Sequence, residues 1–107
     1  MTTKISELAA ALGDAFPAKR SQAAEQLCHL GTEAQEAALA LVRACADSTE
    51  EVREWAVAAL EALGPPLAAD IAPLAALLRD ENSDVGYWAA TLLGRCRTKA
   101  EESKMTW

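Results

Sequence analysis

Apolar and polar positions recur along this chain at a fixed spacing of 33 residues. A fixed period of that size is typical of stacked supersecondary units. The recurrence runs through three copies without a gap, and it includes apolar positions, small positions and an aspartate. Aligned triplets include Ile5, Ala38 and Ile71; Leu8, Leu41 and Leu74; Asp14, Asp47 and Asp80; Ala23, Ala56 and Ala89; and Leu27, Leu60 and Leu93.

Within each copy the apolar spacing is helical. Val52, Ala56, Ala59, Leu60 and Leu63 fall on one stripe at 3.6 residues per turn. Gly31 and Gly64 stand at C-terminal cap positions, and Thr32 with Gln35 and Ser48 with Glu51 match capping boxes. The pattern predicts helices over about 3–13, 17–30, 33–46, 49–63, 68–79 and 84–97.

The predicted fold class is all-α, an α-α superhelix or solenoid of three helical hairpins. One hairpin cannot bury both apolar faces, so neighbouring hairpins must stack in sequence order. We expect one domain over 1–97, with units of about 3–31, 32–64 and 65–97, followed by a C-terminal tail over 98–107.

One stripe of the second helix in each unit changes character along the chain. Its residues are polar in the first unit and largely apolar afterwards, which predicts that the stripe faces the preceding unit. The first unit then forms an N-terminal cap. The opposite face of the third unit, with Ala90 and Leu93, stays partly bare unless the tail with Met105 and Trp107, a second copy or further units cover it. The stripe reads Lys19, Gln22, Gln26 and His29; Val52, Trp55, Ala59 and Ala62; then Val85, Trp88, Leu92 and Arg95.

The charge argues against nucleic acid as a partner. The net charge is −6 at pH 7, whereas phosphate backbones are bound chiefly through lysine and arginine. We find neither a secretory signal pattern nor an apolar run long enough to span a membrane. Three widely spaced cysteines, Cys28, Cys45 and Cys96, suit reduced thiols in a cytoplasmic protein.

Candidate chemistry is sparse. His29 is the one histidine and lies in the polar stripe, and the carboxylate pairs such as Glu50 with Glu51 are adjacent rather than opposed. We see no phosphate loop and no metal-ligand spacing. The sequence therefore predicts no enzyme activity, no cofactor and no metal.

The segment from Asp47 to Gly64, Asp-Ser-Thr-Glu-Glu-Val-Arg-Glu-Trp-Ala-Val-Ala-Ala-Leu-Glu-Ala-Leu-Gly, resembles the HEAT repeat, particularly the short bacterial form related to bilin lyases. The resemblance covers about residues 3–97. It implies second helices on the concave side and a ladder of aspartates and arginines joining adjacent units. Lys19 and Gly86 depart from the motif, so the ladder is incomplete. Its members here are Asp14, Arg20, Asp47, Arg53 and Asp80.

A scaffold that binds a partner protein or peptide is the predicted function. Trp55 and Trp88 share one position, and they either wedge between helices or form an exposed aromatic pair, whereas Tyr87 is expected to be exposed. The alternatives are a component of a tetrapyrrole (bilin) lyase, which rests on the resemblance alone, and a self-associating homodimer joined through the C-terminal face. The candidate partner-binding residues are Glu54, Trp55, Val57, Ala58, Glu61, Tyr87, Trp88 and Thr91.

Overall fold

The computed structural model describes residues 3–105, with side chains for 4–96. Over that part of the chain every regular element is a helix, which confirms the all-helical class. The α-helices are α1 (Thr3–Ala11), α2 (Pro17–Leu30), α3 (Ala38–Ala44), α4 (Glu50–Leu63), α5 (Ile71–Leu77) and α6 (Ser83–Met105), and 3₁₀ segments span Gly31–Ala37 and Ala68–Asp70.

The turns at the ends of α1, α3 and α5 repeat one hydrogen-bond pattern at the spacing seen in the sequence. The Asp14, Asp47 and Asp80 carboxylates each accept a hydrogen bond of 2.9 Å from the backbone N–H two residues later. Such Asx turns reverse the chain locally without a glycine. Equivalent residues thus place α2, α4 and α6 in the same way relative to the helix before each of them.

The core lies between the second helices α2 and α4, between each second helix and its own first helix, and between α3 and α6. α2 packs chiefly against α4, α3 against α4, and α5 against α6. Leu27, Leu41, Leu60, Leu63 and Leu74 have fully buried side chains. Alanines at Ala23, Ala24, Ala56, Ala59 and Ala89 are buried beside them, which lets the helix axes approach closely.

Part of the predicted helix over 33–46 is wrong, because Gly31–Ala37 forms a 3₁₀ helix and α3 begins only at Ala38. Three residues per turn place Ala34 and Ala37 above one another, and both side chains are fully buried. The Gln35 amide, predicted to cap a helix, instead donates to the Pro65 carbonyl oxygen at 2.6 Å. This segment thereby ties the start of the second unit to the residue at which the third unit begins.

Other boundaries differ by smaller amounts. α4 has Thr49 rather than Ser48 as its N-cap, and no side chain caps it. α5 is preceded by a short 3₁₀ turn, and the backbone of α6 continues to Met105, beyond the predicted end at 97. Gly31 and Gly64 do adopt positive φ angles, +59° and +84°, as expected for residues that end α2 and α4. Trp107, expected to help cover the last unit, lies outside the described residues.

Candidate functional site

α4 presents an acidic groove on the surface of the second helices. The helix begins at Glu50 after Thr49 in extended conformation, and residues three and four apart are neighbours along one side of it. A cavity of ≈ 630 Å³ opens there and is lined by Glu50, Glu51, Glu54, Trp55 and Ala58. Within the part of the chain whose side chains are described, none of the three carboxylates forms an ion pair. We call this cavity the α4 groove.

Trp55 forms the apolar part of the α4 groove. Its side chain is half-buried, and its ring lies 6.1 Å from the His29 ring at an angle of 56°. His29 itself is exposed and makes a 3.7 Å contact with the Glu25 carboxylate one helical turn away. The indole therefore packs backwards against α2 on one side and faces the groove on the other.

Trp88 lies in the core, although it occupies the same position in α6. Only 7 % of its surface is exposed. The Tyr87 ring meets it edge-on at 5.5 Å, and the Arg95 guanidinium carbon lies 5.8 Å from its ring centre. Of the two interpretations of the tryptophan pair, the structure places Trp88 in the packing role. Trp88 is the one member of the predicted surface that the fold removes from solvent.

The remaining predicted surface residues lie on α4 and α6 outside the core. Tyr87 is 63 % exposed, and Glu54 and Glu61 are also exposed. Val57 is half-buried beside Cys45, Arg53, Glu54 and Asp84, where it lines a smaller hollow of ≈ 310 Å³. The half-buried Thr91 hydroxyl donates to the Tyr87 carbonyl oxygen at 2.8 Å. Whether a partner contacts these residues stays a prediction.

One rung of the predicted ladder joins the first unit to the second. Arg20 Nε lies 2.9 Å from Asp47 Oδ2, and Arg20 Nη2 donates to Oδ1 at 3.2 Å. Arg20 Nη1 also donates to the Asp14 carbonyl oxygen at 2.8 Å. A planar guanidinium that meets both carboxylate oxygens fixes orientation as well as distance. The rung therefore locks the turn after α1 to the turn after α3.

The next rung is built differently. Arg53 Nη1 donates to the Asp47 carbonyl oxygen at 2.7 Å, the counterpart of the bond between Arg20 and Asp14. Among described side chains, however, Arg53 forms no ion pair, and the Asp80 carboxylate accepts the Asn82 N–H. Gly86 stands at the third arginine position, where an added Cβ would lie 3.4 Å from the Leu78 carbonyl oxygen.

Arg95 belongs to the stripe predicted to face the preceding unit, and it connects α6 to the end of α4. Its Nη1 donates to the carbonyl oxygens of Leu60 at 2.8 Å and Gly64 at 3.0 Å. These carbonyls end α4 and have no intrahelical partner of their own. The position is His29 in the first unit and Ala62 in the second, so the stripe predicted the direction of Arg95 but comparison of the units did not predict its hydrogen bonds. A cation at the end of a helix is, in itself, an expected arrangement.

Burial makes one thiol unreactive. Burial, with a smaller contribution from the Asp84 carboxylate, raises the pKa of Cys45 from 9.0 to about 12. Its Sγ donates to the Leu41 carbonyl oxygen at 3.6 Å. Since the thiolate is the nucleophilic form, Cys45 is held in its unreactive state. Cys28 and Cys96 are half-buried and also free of disulfides.

Two kinds of site are not found in the described residues. Within that part of the chain no three histidine, cysteine, aspartate or glutamate side chains are grouped as metal ligands would be. None of its helices is long and apolar enough to cross a bilayer.

Helices joined by the same turn at regular intervals, with a core shared between consecutive units, define an α-helical repeat protein. A family model described as HEAT repeats matches residues 5–94, and the chain belongs to the HEAT repeat family. No curated protein matches the sequence.

Proposed function

We propose that the chain is a protein-binding module of three stacked hairpins, which holds a partner protein or peptide on the surface of its second helices. HEAT repeats commonly mediate contacts between proteins, and extended surfaces of this kind are what stacked helical repeats provide. The proposal assigns the chain a binding role and no catalytic step.

The α4 groove is the observation that carries this proposal. It combines a half-buried indole with three carboxylates that pair with no described cation. An aromatic ring that is already fixed by packing loses little conformational entropy when a partner covers it. Tyr87, in the position of α6 that corresponds to Glu54 of α4, supplies a second, well exposed ring on the second helices.

The charge of the groove indicates the partner's chemistry. A segment that carries lysine or arginine can pair with Glu50, Glu51 and Glu54 and place a cation against the Trp55 ring. Binding of such a segment weakens as salt is added, because the carboxylates are exposed to solvent.

Selection from a random peptide library tests the proposal, because it lets the groove itself choose the chemistry of its ligand. The phage-displayed library is panned on the wild-type chain, and recovered peptides are titrated against Glu54→Lys and Tyr87→Ala. We expect basic sequences whose affinity falls at least tenfold with Glu54→Lys and severalfold with Tyr87→Ala.

Phe16→Ala supplies the matched control, since Phe16 is as exposed as Tyr87 but lies before α2. Peptides that bind the control and both groove variants equally well would disprove this assignment of the surface. Circular dichroism checks that each variant keeps its helical content.

Two further assignments belong to this proposal. A cytoplasmic location suits the three free cysteines, because thiols persist in a reducing compartment. The alternative of a tetrapyrrole lyase component stays a prediction. A change in visible absorbance when the chain is mixed with a linear tetrapyrrole would favour it over the binding role.

A further inference from the structure

In the third unit, large apolar side chains in α5 and beside it are exposed at positions that are buried in the second unit. Leu67 and Ile71 are each 38 % exposed, and Leu78 is 45 % exposed. The corresponding residues of the second unit, Ala34, Ala38 and Cys45, are at most 1 % exposed. Because these positions are apolar in both units, the difference in exposure comes from the residues that surround them.

Comparison of all three units shows which way this surface faces. Leu12 is 7 % exposed in the first unit, Cys45 1 % in the second and Leu78 45 % in the third. The first unit has only a following neighbour among the described residues, and it nevertheless buries Leu12. The position is therefore covered by the following unit, and in the third unit no described residue takes that place.

The second helix gives the same result. Leu27 and Leu60 are fully buried, whereas Leu93, their counterpart in α6, is only half-buried. The first helices show a further example. Ala9 in α1 is half-buried and Val42 in α3 is fully buried, whereas their counterpart in α5, Ala75, is exposed. We call the surface formed by Ile71, Ala75, Leu78 and Leu93 the forward face.

The opposite end of the stack does not complement the forward face. Lys19 and Gln22 are exposed there, at positions that hold Val52 and Trp55 in the second unit. A head-to-tail neighbour would have to bury an ammonium group and an amide against leucine, which costs free energy without compensating partners.

We infer that the forward face binds the forward face of a second copy of this chain, which gives a closed, twofold-symmetric dimer. The same positions already form the interfaces between consecutive units inside the chain, so the dimer continues an established apolar interface across the twofold axis. An isologous contact uses each exposed leucine twice and needs no polar partner. The α4 groove contributes no residue to this contact, so this inference is independent of the proposed binding function.

Sedimentation of the full chain over a wide concentration range, in reducing buffer, tests the inference. The chain mass is 11.3 kDa, and we expect a reversible shift to twice that mass with no larger species. Leu78→Glu places a charge at the most exposed leucine of the forward face and should raise the dissociation constant at least a hundredfold. Leu78 is nearly half exposed, so this variant keeps the fold, which circular dichroism verifies.

Two control variants separate the dimer from other modes of association. Phe16→Glu introduces the same charge at an exposed apolar residue outside the forward face and should leave the dimer unchanged. Gln22→Glu alters the opposite end and should also leave it unchanged. A wild-type chain that stays monomeric, a mass that keeps growing beyond two copies, or a Leu78→Glu variant that still dimerises would each overturn the inference.

Discussion

Arg20 and Arg53 occupy the same position in successive units but carry different parts of the structure. Both donate to a carbonyl oxygen six residues earlier, through which each arginine holds the turn at the start of its own helix. Only Arg20 also pairs with a carboxylate of the next unit, and the side chains of that pair are 14 % and 11 % exposed. Sequence alone marked both positions as ladder residues and could not distinguish these contacts.

This difference predicts unequal effects of two identical substitutions. Arg20→Ala removes the shielded ion pair and the carbonyl contact, so the free energy of unfolding should fall by about 2 kcal/mol. Arg53→Ala, the matched control, removes only the carbonyl contact and should cost about 1 kcal/mol. Urea denaturation measures both, and an equal or larger loss with Arg53→Ala would contradict the prediction.

The raised pKa of Cys45 should make the free energy of unfolding depend on pH in alkaline solution. The unfolded thiol ionises near 9.0, whereas burial raises the folded-state pKa of Cys45 to about 12. Between these values the unfolded state has lost a proton that the folded state keeps, so the free energy of unfolding falls as pH rises. The slope from this group reaches about 1.4 kcal/mol per pH unit.

The Cys45→Ala variant isolates this contribution from that of other groups that titrate above pH 9. It loses some core packing at pH 7, but its stability should decline less steeply than that of the wild type as pH rises. Urea unfolding at several pH values gives both slopes. Parallel curves for the two proteins would exclude Cys45 as the source of the alkaline sensitivity.

At the scale of elements, helix boundaries could be predicted where a proline starts the helix or a glycine ends it. α2 was predicted over 17–30 and spans Pro17–Leu30, because Pro17 starts it and Gly31 ends it. Residues 32–37 before α3 contain neither proline nor glycine, and the alanines among them suit α and 3₁₀ geometry equally well. Contacts with α2 and α4 selected the tighter helix there, and these contacts cannot be deduced from local propensity.

Two glycines next to or within helices should respond oppositely to alanine. Gly94 lies in α6, where an added Cβ would meet no atom within 4 Å, so Gly94→Ala should stabilise the chain by about 0.8 kcal/mol. Gly64 ends α4 with φ +84°, which alanine adopts only with strain, so Gly64→Ala should destabilise by about 1 kcal/mol or more. Thermal denaturation gives both signs, and a shared sign would contradict the assigned backbone geometry.

The candidate site was predictable where it depended on helix phase and not where it depended on neighbouring units. Glu54, Trp55 and Ala58 lie together in the α4 groove, as their spacing indicates. Trp55 and Trp88 have the same phase, yet Trp55 meets the polar first unit through His29, while Trp88 is enclosed with Arg95 above its ring. The burial of equivalent residues therefore depends on which unit they belong to. The sequence pattern of a single unit does not give this information.

For the whole molecule, the polar stripe on α2 accounts for why the stack has two different ends. The second unit contacts its predecessor through Val52 and Trp55, and the first unit has Lys19 and Gln22 at these positions. For the proposed dimer, we expect this polar end to disfavour addition of another copy's forward face, which would otherwise give open-ended stacks. The end at which another copy can add is therefore determined by exposed residues, Lys19 and Gln22, that contribute little to the folding of their own unit.

Making the first unit resemble the second should abolish this control. A chain with Lys19→Val, Gln22→Trp and Gln26→Ala has an apolar surface at each end, and head-to-tail contacts between such ends do not close. We expect its weight-average mass in sedimentation to exceed two chains and to rise with concentration. Adding Leu78→Glu removes the apolar centre of the other end and should return the mass to that of one or two chains. A triple variant that sediments like the wild type would show that the polar stripe does not set the limit on stacking.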